Sequence, residues 1–285
     1  MNRLFRGEGI VAAPGVHDAF TARIAERAGH KAVYLGGNAL AMGLGKGQPF
    51  VTLTETAEVA ARIARMVDVP LLVDAGAGFG EPGHLHIAVR EIEASGAAGL
   101  HIDDQPYPKR AGYHRGQGQL APIEAMVRRL KTAVAARRAP GFSIVARTDA
   151  LRVSRSMDET LTRCAAYVDA GADALMVLDL EPADAPRFRA AFPDTPLVWI
   201  GGVVPPIPAV DDLEAAGFAL ACYPFNGVAL IATRLGDLWA GLAADGVIAQ
   251  PDEELARARS ETLALVDMQR FWDIEDGKNN ESAAS

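Results

Sequence analysis

The chain has 285 residues, 49% hydrophobic and 22% charged, with a formal net charge of −8. That balance supplies ample material for a globular core, and the acidity argues against a nucleic-acid or anionic-membrane partner. Two cysteines, Cys164 and Cys222, give neither a disulfide framework nor zinc-ligand spacing.

Each cysteine sits in an apolar run and reads as a small core residue. The stretch MNRLFRGEGIV has no long apolar region of the kind found in leaders. No window approaches 18 uninterrupted apolar residues, so no membrane span is expected. A cytoplasmic protein is the expectation.

Apolar runs of strand length recur along the chain, at 9–15, 32–37, 70–76, 99–104, 142–150, 174–179, 196–202 and 218–224. They are continuous rather than alternating, as in parallel strands buried on both faces. Between them lie amphipathic stretches of helical period. TARIAERAG (21–29) ends in a glycine stop, and TETAEVAARIARMVD (54–68) opens on Thr54 as a candidate cap. IEAMVRRLKTAVAARR (123–138) gathers basic residues toward its C-terminal end, where the helix dipole favours them.

Eight such βα units predict a (β/α)8 TIM barrel over residues 1–245, with the site at the C-terminal ends of the strands. A doubly wound open sheet is the alternative. A C-terminal helical extension is expected over 246–275, and a disordered tail over 276–285. Leu255, Leu263, Val266 and Phe271 give the extension more apolar surface than a lone helix needs, and point to a neighbouring subunit.

The barrel reading places certain polar residues at the mouth. Strand two ends in Tyr34, Gly36, Gly37 and Asn38, strand three in Asp74, strand four in Asp103, Asp104 and Gln105. Strand five ends in Arg147, Thr148 and Asp149, strand six at Asp179 followed by Glu181, strand eight at Tyr223 and Pro224. Strand seven ends in Gly201-Gly202 and offers only backbone.

Asp74 and Asp103, at adjacent strand tips, could share a hard divalent cation; equally, one could cap a helix and the other pair with a basic residue. Arg147 could grip a substrate carboxylate with its planar fork, or pair with Asp149 or Asp103. The long segment 105–120 holds Lys109, Arg110, Tyr113, His114 and Arg115, the composition of a lid or binding loop, or of a solvated basic loop. His114 has the chemistry of a general acid or base near neutral pH. His101 reads as a core histidine, and Trp199 as barrel core or pocket wall. GGNALAMGLGKG and GAGFG both lack the spacing of nucleotide-binding glycine loops.

Several stretches taken together resemble the isocitrate lyase/phosphoenolpyruvate mutase superfamily, in particular its methylisocitrate lyase-like branch. They are APGVHDAFTARIAERAG, YLGG, LLVDAGAGFG, SGAAGLHIDDQPYPKRAGYHRG, IVARTDA, AGADALMV and ACYP, in that order over about residues 10–240. The resemblance implies a barrel enzyme that binds a small 2-oxo or 2-hydroxy carboxylate on Mg2+, with Mn2+ able to substitute. Such enzymes make or break C–C bonds, cleave P–C bonds or decarboxylate oxaloacetate through metal-stabilised enolates. It also implies a homotetramer that exchanges its C-terminal helices.

Carried onto this chain, Asp74 and Asp103 hold the metal, and Arg147 takes the carboxylate. Tyr34, Gly36, Gly37, Asn38, Lys109 and Arg110 bind substrate, and Tyr113 or His114 transfers the proton. Departures from the pattern are specific. Gly76 stands where D-x-D-x-G-[FY]-G has its second aspartate, and another acid of the family falls near Gly47. Asp103 replaces the glutamate of H-I-E-D-Q, and Ala111 the cysteine of K-R-C-G-H. The late N-x-T-E motif is missing, its place taken by Ile200-Gly201-Gly202-Val203.

Ala111 cannot donate a proton, so a genuine isocitrate or methylisocitrate lyase is not expected. The reading is a C–C lyase that resembles the dimethylmalate and methylisocitrate lyases without their cysteine, or an oxaloacetate decarboxylase. The alternatives are a phosphonopyruvate-type hydrolase, a metal-independent enzyme with a remodelled pocket, and a carboxylate-binding homologue without turnover.

Overall fold

Eight short strands run parallel: β1 (Val11–Pro14), β2 (Val33–Leu35), β3 (Leu71–Asp74), β4 (Gly99–Asp103), β5 (Ser143–Thr148), β6 (Ala174–Val177), β7 (Leu197–Ile200) and β8 (Leu220–Tyr223). The computed structural model describes residues 3–5 and 9–278, without the side chains of Arg3 and His114. The strand order β1-β8-β7-β6-β5-β4-β3-β2 makes one sheet, and the (β/α)8 expectation holds.

Between β1 and β2 the ladder shrinks to a bridge at Gly15 and Tyr34, with the Val16 amide donating to the Tyr34 carbonyl at 2.9 Å. On its other side Gly15 meets the end of β8. A Cβ on Gly15 would lie 2.5 Å from the Tyr223 carbonyl oxygen, so only glycine permits this approach of β1 to β8.

The helices are α1 (Ala19–Arg27), α2 (Gly37–Gly43), α3 (Leu53–Ala64), α4 (Pro82–Ala94), α5 (Ile123–Ala136), α6 (Ala150–Ser154), α7 (Met157–Asp169), α8 (Ala185–Ala191) and α9 (Val210–Ala215). They continue with α10 (Asn226–Asp245), α11 (Asp252–Leu265) and α12 (Met268–Glu275). The cap of α3 is Thr52 rather than Thr54. Thr52 Oγ1 accepts from the Glu55 amide while Glu55 reaches back to the Thr52 amide, a reciprocal capping box.

Strand alternation sorts the core into two layers. Leu71, Val73, Ile144 and Ala146 point outward against the helices. Leu72, Val145, Met176, Val198 and Leu220 fill the barrel interior, plugged by Leu4 from the 3-10 turn Arg3–Phe5. A fully buried leucine of this kind contributes about 1.5–3 kcal/mol. Leu72→Ala would leave a cavity and cost about 2–5 kcal/mol.

The chain divides into two compact units, Met1–Ala229 and Leu230–Ser285. This division falls inside α10, earlier than residue 245. In the second unit Leu265 is buried and Leu263 half-buried, while Trp239, Leu255, Val266, Phe271, Trp272 and Ile274 are exposed. α10 has a mean hydropathy of 1.2 and is, among the described residues, the one helix long and apolar enough to cross a membrane. Arg234 and Asp237 break its apolar run, which is why a search for uninterrupted stretches passes over it. Most of the tail expected to be disordered, residues 279–285, lies outside the described residues.

Candidate active site

A cavity of about 580 Å³ opens at the C-terminal mouth of the barrel, where chemistry gathers in this architecture. Asp74, the last residue of β3, lines it. Asp74 Oδ2 accepts from the Gly37 amide at 2.9 Å and Oδ1 from the Gly76 amide at 2.8 Å. Burial works against its charge, yet His101, Lys109, Arg147 and the Gly37 amide hold its carboxyl well below the usual range. It is therefore ionised throughout neutral pH.

Asp103 closes β4 and is fully buried. Lys109 Nζ donates to its Oδ2 at 2.5 Å, and its Oδ1 has no hydrogen-bond partner among the described residues. A Cβ on Gly76 would stand 3.5 Å from Lys109 Cδ and 3.8 Å from its Nζ. The lysine ammonium therefore sits beside the place from which a second metal-loop acid would project.

Arg147 lies opposite Asp103 in the β4–β5 register. Its Nε donates to Asp149 Oδ1 at 2.8 Å, and its Nη2 to Asp149 Oδ2 at 3.3 Å and to the Tyr113 hydroxyl at 3.1 Å. Arg152, from α6, also donates to Tyr113 at 3.3 Å and grips Asp179 with two bonds of 2.7 and 2.6 Å. Burial pushes the Tyr113 hydroxyl above the ordinary tyrosine range, so it stays protonated. Asp149 is held low by Arg147 even though burial opposes its charge.

Two neighbouring groups are scaffold. Asp104 accepts from Thr148 Oγ1 (2.7 Å), the Asp149 amide (2.9 Å), the Tyr167 hydroxyl (2.9 Å) and Arg163 (3.4 Å). His101 is buried in the barrel, its Nε2 2.8 Å from the Tyr34 hydroxyl and 3.6 Å from Asp74 Oδ1. Burial lowers its basicity, which leaves it neutral at pH 7. It is a core histidine, as expected, though its Nδ1 has no hydrogen-bond partner among the described residues.

The expected site residues thus separate. Tyr34, Gly36, Gly37, Asn38, Asp74, Lys109, Tyr113 and Arg147 all line the cavity. Asp103 lies beneath Lys109, and Arg110 is exposed away from the cavity. Gly37, expected to bind substrate, instead has its amide committed to Asp74. The Arg147 fork is engaged by Asp149, the structural pairing its sequence position also allowed. The side chain of His114 lies outside the described residues.

Gln48 and Arg152 line the cavity and were not anticipated. Arg152 comes from a helix rather than a strand end. Gln48 sits in the loop GKGQPF, next to Pro49, where only its packing on Gly37 would reveal it.

The chain matches the model of the family described as phosphoenolpyruvate phosphomutase over residues 1–237. It is 35% identical over 280 residues to 2,3-dimethylmalate lyase of Eubacterium barkeri, covering 96% of each chain. It is 39% identical over 220 residues to 2-methylisocitrate lyase of Salmonella typhimurium, covering 74% of this chain and 73% of that one. Among solved structures, it superposes on a phosphoenolpyruvate phosphomutase from Streptomyces platensis subsp. rosaceus with a TM-score of 0.86 and 27% identity, covering 96% of each chain.

Proposed function

Since the chain belongs to the phosphoenolpyruvate phosphomutase family, within the phosphoenolpyruvate mutase/isocitrate lyase superfamily, we propose that it is a carbon–carbon lyase acting on a small 2-hydroxy or 2-oxo dicarboxylate of the dimethylmalate kind. The observation that carries this reading is an ionised Asp74 facing the cavity between the cations of Lys109 and Arg147. Near-complete coverage of the dimethylmalate lyase supports it.

Asp74 fits magnesium, which takes one or two protein carboxylates and completes its shell with water and substrate oxygens. Each Asp74 oxygen has one amide bond and retains a lone pair. The second donor would be the unpartnered Oδ1 of Asp103, which lies beneath Lys109. No three His, Cys, Asp or Glu residues cluster as a metal site among the described residues, so affinity without substrate would be weak. Mg2+, or Mn2+ in its place, would supply Lewis acidity to the substrate's 2-oxygen.

The chain's own residues account for charge and proton. Arg147 is buried, and three of its bonds fix its guanidinium plane toward the cavity, ready to stabilise a developing carboxylate or enolate. Tyr113, protonated and flanked by Arg147 and Arg152, would deliver a proton to the carbanion-like product, the role the cysteine at position 111 has in the lyase motif. Both guanidinium groups would then stabilise the tyrosinate left behind. His114, on the same turn, is the alternative donor.

A homotetramer with exchanged C-terminal helices is the proposed assembly, supported by the exposed apolar side chains of α11 and α12. The proposed setting is the cytoplasm.

The test follows release of a 2-oxo acid from 2,3-dimethylmalate, oxaloacetate and phosphonopyruvate, with Mg2+ or with EDTA. Turnover of the malate is expected, lost in EDTA and reduced at least about 100-fold in Asp74→Asn. Turnover indifferent to EDTA would remove the metal from the mechanism. Turnover of phosphonopyruvate alone would make the protein a hydrolase.

A further inference from the structure

The cavity has two unlike sides. Asp74, Lys109 and Arg147 occupy the β3–β5 side, and across from them the β7–α9 connection forms the wall. From Gly201 to Val210 that connection reads GGVVPPIPAV, without a polar side chain. Val203, Val204, Pro205, Pro206 and Pro208 from it face the cavity, joined by Trp199 from the end of β7.

This wall is built in place. Trp199 is nearly buried and packs on Tyr223 with ring centroids 5.3 Å apart. Gly202 adopts φ +82°, a Cβ there would stand 2.7 Å from the Tyr223 ring, and Asn226 Nδ2 donates to its carbonyl at 2.7 Å. The wall is open to a ligand, because Val203 is 51% and Val204 75% exposed.

Charge on the opposite side is already balanced. Lys109 faces Asp103, Arg147 faces Asp149 and Arg152 faces Asp179. Each cation already has a carboxylate partner, and the 199–208 wall contributes no cation of its own. A third carboxylate placed there would meet valine and proline and lose its hydration without a partner.

We infer that the 199–208 wall is a subsite for an apolar substituent, and that the substrate is a malate carrying an alkyl chain longer than methyl. The inference rests on the lyase reading and names its substrate class. The balanced step is cleavage between C2 and C3. The 2-hydroxyl loses its proton and becomes the carbonyl of a 2-oxo acid. The electron pair passes to C3 as a carboxylate-stabilised carbanion, and a proton returns there to give a saturated acid. The alkyl chain on C3 leaves with that acid, along the wall.

Alkylsuccinates lack the 2-hydroxyl and cannot be cleaved, so they report the subsite separately from turnover. Calorimetric titration of the full-length protein, with Mg2+ present, would compare methyl-, ethyl-, propyl- and butylsuccinate. Affinity is expected to rise about fourfold per methylene. The gain should flatten in Val203→Asp and in Val204→Asp, both changes at exposed positions that fold without difficulty. Affinity that is level or falling with chain length, or equal gains in the two variants, would overturn the subsite. Rising affinity with no cleavage of any alkylmalate would uphold the subsite and defeat the lyase reading.

Discussion

Asp103 and Asp104 are consecutive residues, yet strand alternation sends them into opposite environments. Asp104 turns toward the helices and takes donors from Thr148, Tyr167, Arg163 and the Asp149 amide. Asp103 turns into the barrel and takes one, from Lys109, leaving Oδ1 bare. Both are fully buried, so the contrast is one of hydrogen-bond saturation. A saturated carboxylate fixes the scaffold. An unsaturated one, covered by a lysine that lines the cavity, is available for chemistry.

The contrast is broken most directly at Asp104. Replacing it with alanine strands Arg163 and Tyr167 in the interior and should cost about 3–5 kcal/mol. In a chain of this size that is on the order of a 10 °C loss in Tm, read by calorimetry. A change within 2 °C, by contrast, would show that the Asp104 network is not scaffold.

On the chemical side, Tyr113→Phe should lower kcat about 100-fold with little change in KM, since it removes a proton donor and keeps the ring. A loss under threefold would transfer the role to His114. Gly76→Asp would return a second carboxylate to the metal loop at a positive φ that aspartate tolerates. Electron paramagnetic resonance titration should show Mn2+ bound about tenfold more tightly, and unchanged binding would place the ion elsewhere.

The smallest effect concerns acid stability. Asp149 has a lowered pKa when folded, so its contribution is fully present above the unfolded carboxylate value of about 3.9 and is lost as pH falls through the folded value. Asp149→Asn should therefore flatten the decline of Tm below about pH 5. Asp104 is raised by burial and has the opposite sign, its contribution present in acid and lost as pH rises, so Asp104→Asn should steepen the decline. Identical slopes in the two variants would erase the distinction between the carboxylates.

The barrel was legible because its strands are buried on both faces and its helices on one, and those two constraints write different periods into the chain. Strand ends are legible for the same reason, which brought Asp74, Asp103 and Arg147 to the mouth in advance. Pairing is not, because it depends on side-chain reach across loops. Nothing in PKRAGYH says that Lys109 covers Asp103, and the strand end allowed Arg147 a substrate carboxylate, Asp149 or Asp103 without choosing among them. Arg152 escaped because it stands one turn into α6, where the strand-end rule does not look. Thr52 and Thr54 are both plausible caps by residue type, and only Glu55, three residues after Thr52, separates them.

The bridge between Gly15 and Tyr34 sets the order in which the molecule would come apart. Seven strand junctions are ladders, and the eighth is little more than a single hydrogen bond. Local opening draws on the least-bonded element, here the three-residue β2, which carries Tyr34 and leads to the Gly37 amide on Asp74. Mild denaturant would therefore abolish catalysis before it disperses the sheet, and amides of residues 33–37 would exchange with solvent ahead of those in β4 and β5.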